Sequence, residues 1–247
     1  MFPIRDHNPS QQIPYVTYGL MAVNIAVYLL ALPLYSDPAA LQSFFFRWAL
    51  VPAAVSEGYL LHGFFTSMFL HGGLLHLAGN MLFLWIFGDN LEEDFGHARY
   101  LFFYIASGLA AAFAQYYLAP YSRIPMVGAS GAIAGVMGGY LLMYPRARVD
   151  VLLIFIVFFR IIPVPAWLML GLWFLLQAWN GAAAGAAQGG VAYWAHTGGF
   201  VAGLAMTLPI WLRHGGFAWW QANDGKPPHP PTTYRNSPIP VVRRRRR

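Results

Sequence analysis

The chain contains no cysteine, which excludes disulfides, thiolate nucleophiles and cysteine-ligated zinc while leaving its compartment open. Charge is scarce as well. Only 10% of the 247 residues are Asp, Glu, Lys or Arg, against about 25% in a soluble domain. No His-Glu-x-x-His run is present, and no internal repeat of the kind that builds paired broken helices in transporters. What fills the space instead is apolar: 58% of residues are hydrophobic and the mean hydropathy is +0.48. This is the composition of an integral membrane protein, with room for about six spans of roughly 20 residues.

The apolar runs predict spans over Tyr15–Tyr35, Gly73–Gly88, Arg99–Pro120, Ser130–Tyr144, Trp167–Trp179 with its flanks, and Ala192–Trp211. None of them contains an Asp or Glu, which counts against a carboxylate proton relay. Residues 1–14 read as a polar lead-in rather than a cleaved signal, because Pro3, Asp6 and Pro9 interrupt them. Residues 36–72 are aromatic but broken by Pro38, Arg47, Pro52 and Gly58, as expected of a loop lying on or partly within the bilayer. Residues 89–94 read as an acidic turn. The run Val151–Ile162 is too short to span comfortably and is expected at the interface or partly buried. Beyond Arg213 a Pro-rich tail is expected to be disordered and ends in Arg243–Arg247. The expected organisation is a lead-in (1–14), one membrane domain (15–213) and a cytoplasmic tail (214–247).

Thirteen of the fifteen Lys and Arg residues fall on one side of this six-span arrangement, and only Arg47 and Arg123 on the other. The positive-inside rule then puts both termini in the cytoplasm, which suits a bacterial cytoplasmic membrane. The basic balance therefore concerns topology and anionic lipid, with the terminal arginines a candidate lipid contact, rather than nucleic acid.

Against this background the polar residues of the spans stand out. Ser130 lies in Val127-Gly128-Ala129-Ser130-Gly131, where a loop turns into a helix whose unpaired N–H groups would face the serine. Gly131, Gly135 and Gly139 then make a stripe of small residues along that helix. A second stripe, Ala195, Gly199 and Gly203, runs beside His196. Packing the stripes together would bring Ser130 and His196, both at the starts of inward-running helices, to one depth. Imidazole is the usual base for a serine nucleophile. His76 and Asn80 are i and i+4 and share a helix face, offering donors suited to an oxyanion. His71 and His76 are five apart, a poor spacing for a metal, and no carboxylate completes a triad, so any catalysis here is by a Ser–His dyad without metal or cofactor.

Four motifs in order, His71-x4-His76-x3-Asn80, Gly88-x3-Glu92-x3-Gly96, Gly128-Ala129-Ser130-Gly131 and Ala195-His196-x2-Gly199-x3-Gly203, make residues 40–212 resemble the rhomboid intramembrane serine proteases. The resemblance implies an all-α, six-helix bundle with a membrane-embedded first loop and a water-filled cavity open to the outside. It implies Ser130 as nucleophile and His196 as its base. His76, Asn80 and the Ser130 N–H would form the oxyanion hole, with His71 organising the loop and Glu92 structural. Single-span membrane proteins would be the substrates, reaching the site between the second and fifth spans. Two departures stand out. His62-Gly63 replaces a Trp-Arg pair common in relatives. Ala134 stands where many relatives carry an aromatic on the catalytic histidine, and Trp194, Phe200 and Tyr193 are the rings near enough in sequence to replace it. The alternatives are a proteolytically silent relative that binds membrane helices, and a channel or transporter.

Overall fold

The computed structural model describes residues 2–155, 158–184 and 192–232. The first long helix, α1 (Tyr15–Ala31), passes into a 3₁₀ turn at Leu32–Ser36, where Pro33 cannot donate the next helical hydrogen bond. The loop that follows carries three short helices, α2 (Pro38–Trp48), α3 (Pro52–Ser56) and α4 (Gly63–Thr66). Asp37 starts α2 by accepting from the backbone N–H groups of Ala39 and Ala40. At His62-Gly63 this loop is fastened to residues 47–49. His62 Nε2 donates to the Arg47 carbonyl at 2.8 Å and its ring meets Trp48 edge-on. Gly63 lies so close to Ala49 that an added methyl would sit 2.5 Å from its carbonyl oxygen.

Helices α5 (Leu74–Phe95) and α6 (His97–Leu118) meet at Gly96, whose φ of +74° suits a residue without Cβ. The expected end of α5 at Gly88 is corrected: residues 89–94 continue the helix rather than forming an acidic turn. They do so because their carboxylates find partners. Asp89 accepts from the Ser10 N–H at 2.9 Å, and Asp94 accepts from the Tyr144 hydroxyl. Glu92 is fully buried and takes the N–H groups of Val16 and Thr17, the Thr17 hydroxyl and His97 Nδ1. α1 has no side-chain cap of its own, so this carboxylate from another helix supplies one.

The central helix, α7 (Ser130–Met143), is buried at eleven of its fourteen residues, which explains how so short a helix serves: it is wrapped by protein on all sides. Two strands follow, β2 (Arg148–Phe155) and β3 (Phe158–Pro165), and the N-terminal strand β1 (Phe2–Asp6) pairs antiparallel with β2, giving the order β1-β2-β3. The segment expected to rest at the interface is thus largely a hairpin, and the lead-in contributes its third strand. The β-branched run around Val149, Val151 and Ile161 favours extended backbone, and Asp150 ties the edge down. Burial alone would push the Asp150 carboxyl up. Hydrogen bonds from His7 (2.7 Å) and Arg5 (2.8 Å) outweigh it and hold the group below the usual carboxylate range.

Helix α8 (Ala166–Ala184) continues directly from β3, and α9 (Tyr193–Arg213) is followed by α10 (Phe217–Asn223). The beginning of the tail is ordered rather than loose. Trp220 donates to the Leu142 carbonyl, Gly225 accepts from the Arg146 N–H, and the Thr232 N–H bonds to the His7 carbonyl at 2.7 Å. Arg243–Arg247 lie outside the described residues. These contacts gather the sheet, the start of α1, the ends of α5 and α7 and the tail at one end of the molecule. The Leu50–Met126 bridge and the Gly128–Ser67 bond tie the loops at the other. Helices α1, α5, α6, α7, α8 and α9 run alternately between these ends. By length and apolarity alone, among the described residues, Tyr15–Ser36, α6 and α9 are long enough to cross a membrane. Residues 63–95 add a fourth span if taken as one element bent by 91°.

The α7–α9 contact sets the site. A methyl added at Gly199 would lie 2.1 Å from the Gly131 carbonyl oxygen, and one at Gly203 would lie 2.1 Å from that of Gly135. Gly138, not part of the expected stripe, meets the Phe200 carbonyl in the same way. Gly139 instead faces Thr207, Leu91 and Phe103. Backbone lies on backbone along this seam.

Candidate active site

The two glycine faces hold Ser130 and His196 side by side. Ser130 opens α7, and its Oγ lies 2.7 Å from His196 Nε2, in the first turn of α9. Ala129 offers no side-chain cap to α7, so among the described residues its first N–H groups, that of Ser130 among them, have no side-chain partner. Gly128 sits just ahead with φ +128° and its N–H fixed on the Ser67 carbonyl. A methyl there would lie 2.8 Å from His76 Nε2. Only glycine lets the loop pass between the serine and that imidazole.

His76, Asn80, Ser130 and His196 line one cavity of about 520 Å³, which extends past Gly79 and Phe83 of α5 and Trp173 of α8. His76 Nδ1 accepts from the Gly72 N–H at 3.3 Å, which leaves the ring proton on Nε2, the atom on the Gly128 side. His76 is thereby a donor at the cavity. Asn80 Nδ2 donates to His71 Nε2 at 2.9 Å, and an amide nitrogen has a second proton to offer. His71 is buried and outside the cavity lining; its carbonyl takes the Tyr35 hydroxyl, so it joins the end of α1, the loop and α5. The five polar residues singled out in the sequence therefore meet, four at the cavity and one behind it.

Two neighbours were not among them. His196 Nδ1 lies 2.8 Å from Gln177 Oε1, and the Trp173 ring faces the imidazole with centroids 5.7 Å apart. Both come from α8. Trp173, rather than Trp194, Phe200 or Tyr193, is the ring that stands in for the aromatic missing at Ala134; Phe200 stacks on Phe174 instead. A signal for Gln177 was present: it is the one polar side chain in the otherwise apolar run Trp167–Trp179.

Chemically, the arrangement offers a hydroxyl against an imidazole, donors converging from two helices, and a space for a peptide carbonyl between them. The Rhomboid domain family model matches residues 60–213. The chain is 34% identical over 145 residues to "Rhomboid protein 1, mitochondrial" of Saccharomyces cerevisiae, covering 56% of this chain and 38% of that protein. It is 42% identical over 76 residues to "Rhomboid protease GluP" of Bacillus subtilis, covering 31% of this chain and 14% of that one. "RHOMBOID-like protein 6, mitochondrial" of Arabidopsis thaliana is 42% identical over 81 residues, covering 31% and 24%. The matched stretches span well under half the length of each of these relatives.

Proposed function

The chain belongs to the rhomboid family, and from that premise we propose that it is an intramembrane serine endopeptidase working through Ser130 and His196. The observation that carries the proposal is the 2.7 Å bond between Ser130 Oγ and His196 Nε2, at a cavity within a membrane bundle. In this reading Ser130 attacks the scissile carbonyl while His196 takes its proton, later returning it to the leaving amine. The tetrahedral oxyanion is received by His76 Nε2–H, an Asn80 amide proton and the Ser130 N–H at the positive end of α7. Water then hydrolyses the acyl-enzyme by the same steps in reverse roles.

The substrate is a single-span membrane protein. A helix hides its carbonyls in its own hydrogen bonds, so the cut falls where Gly or Pro weakens the helix near the outer boundary. The cavity wall supports access between α5 and α8, since Gly79 and Phe83 of one and Trp173 of the other line it. The proposed setting is a cytoplasmic membrane crossed six times. Both the N-terminal strand and the described tail then lie on the inner side, consistent with their mutual contact. Anionic lipid remains the proposed partner of Arg243–Arg247.

Cleavage of a single-span reporter in liposomes tests the reading. Wild type should cut the reporter and label with a fluorophosphonate at Ser130, while Ser130→Ala and His196→Ala should do neither. Cleavage that survives Ser130→Ala would overturn the mechanism. A folded wild type inert on several reporters would favour the silent helix-binder.

A further inference from the structure

The carboxamide of Gln177 has no role in the dyad as described so far, yet it sits on the far side of the histidine from the serine. We propose that Gln177 is a positioning residue for His196: its Oε1 accepts the Nδ1 proton and so holds the tautomer whose Nε2 lone pair faces Ser130. The proposal rests on the dyad reading above.

A neutral imidazole has one N–H and one lone pair. For His196 to accept from Ser130 at Nε2, its proton must be on Nδ1, and a buried N–H without a partner is costly. The 2.8 Å contact with Gln177 Oε1 meets that need. With the proton on Nε2 instead, the ring would present a donor to the serine and could not act as its base. Among the described residues no Asp or Glu lines the cavity, so Gln177 takes the orienting part without a charge. In a bilayer this is the cheaper solution, because an ionised carboxylate there needs its own partner. When His196 takes the serine proton, the Gln177 oxygen becomes the acceptor of a charge-assisted bond and stabilises the imidazolium.

Trp173 lies one helical turn before Gln177 and shares its face, covering the ring while the amide fixes its edge. The two constraints therefore arrive together on α8, the helix that forms one side of the proposed access path. Among the described residues, the titratable group that faces His196 across the cavity is His76 of α5, and the Ser130 hydroxyl of α7 lies at Nε2. Neither competes for Nδ1.

The test compares wild type with Gln177→Leu and Gln177→Glu in steady-state reporter cleavage across pH and in the rate of fluorophosphonate labelling. Gln177→Leu removes the acceptor at similar size. Its kcat and labelling rate should fall about 10- to 100-fold with KM nearly unchanged, a loss below the 10²–10⁴-fold that general-base catalysis typically provides. Gln177→Glu restores an acceptor, so labelling should recover to within several-fold of wild type. The added charge favours imidazolium, so the acid limb of its kcat/KM profile should move to higher pH. Wild-type kcat in Gln177→Leu overturns the proposal. So does an equal loss in both variants with an unmoved acid limb, which would mean packing alone. If Gln177→Leu fails to fold, the pH limb of Gln177→Glu decides. Failure of the dyad itself shows separately, as cleavage by Ser130→Ala.

Discussion

Replacing Gly199 with Ala adds a single methyl group, and the structure gives the size of its effect. The new carbon would lie 2.1 Å from the Gly131 carbonyl oxygen, whereas real contacts of this kind are not found under 3.0 Å. The obstacle is helix backbone, which has no rotamer to change. Helix α9 must therefore recede from α7 by about 0.9 Å at the level of Gly131, the residue after Ser130. His196 lies one turn before Gly199 on the helix that moves. If the shift carries through, the Ser130–His196 distance grows from 2.7 Å to about 3.6 Å, beyond hydrogen-bond reach. A misplacement of about 1 Å costs on the order of 100-fold in rate. Overpacking itself costs roughly 1–3 kcal/mol of stability. The assay is reporter cleavage together with thermal unfolding in the same detergent, with Gly19→Ala as control, since a methyl there meets nothing within 4 Å. Gly199→Ala should lose about 100-fold in kcat and unfold at lower temperature, while Gly19→Ala keeps both. A Gly199→Ala variant with wild-type rate and stability would refute the idea that this seam sets the Ser130–His196 distance.

Three further outcomes are expected. Glu92→Gln leaves donors at the start of α1 facing an amide in place of a carboxylate, and should cost about 2–4 kcal/mol in detergent unfolding; an unchanged midpoint argues against the cap. His76→Ala and Asn80→Ala should each lower kcat by about 10²–10³-fold with the fold intact, and wild-type turnover in either removes that residue from the oxyanion hole. Burial, and then the nearby Asp89 carboxylate, push Asp6 up to about 8, so the folded chain keeps a proton that the unfolded chain releases near 3.8. Stability should therefore fall as pH rises between about 4 and 8, by up to about 1.4 kcal/mol per pH unit. Asp6→Asn should flatten that slope relative to wild type, while parallel profiles would contradict it.

Much of the site was legible because its chemistry is unusual for a bilayer. Ser130, His76, Asn80 and His196 are polar groups in apolar runs, and glycines at four-residue spacing announce a close helix pair. The boundaries of α6, α7 and α9 followed from the same hydropathy. What misled was charge read without its partners. Residues 89–94 resemble a solvated turn until Ser10, Thr17, His97 and Tyr144 are seen to meet those carboxylates, and all of those partners but His97 are distant in the chain. The hairpin was hidden for a related reason: a short apolar run has no period that separates strand from buried segment, and its pairing with Phe2–Asp6 is a long-range fact. Gln177 shows the opposite case, a local signal that pointed to His196 only once α8 and α9 were laid together.

The three-stranded sheet also has a bearing on how the protein is made. Phe2 pairs with Leu152, so β1 leaves the ribosome about 150 residues before its partner, roughly 8–30 s at ordinary rates of synthesis. By then α1, α5, α6 and α7 have already emerged. The pairing can close only if those helices have left β2 on the same side as the N-terminus, and Thr232 reaches His7 last of all. The sheet can therefore form only in a chain threaded so that these segments meet. A chain threaded the wrong way keeps Phe2–Asp6 as a bare strand edge, a template on which another chain can pair.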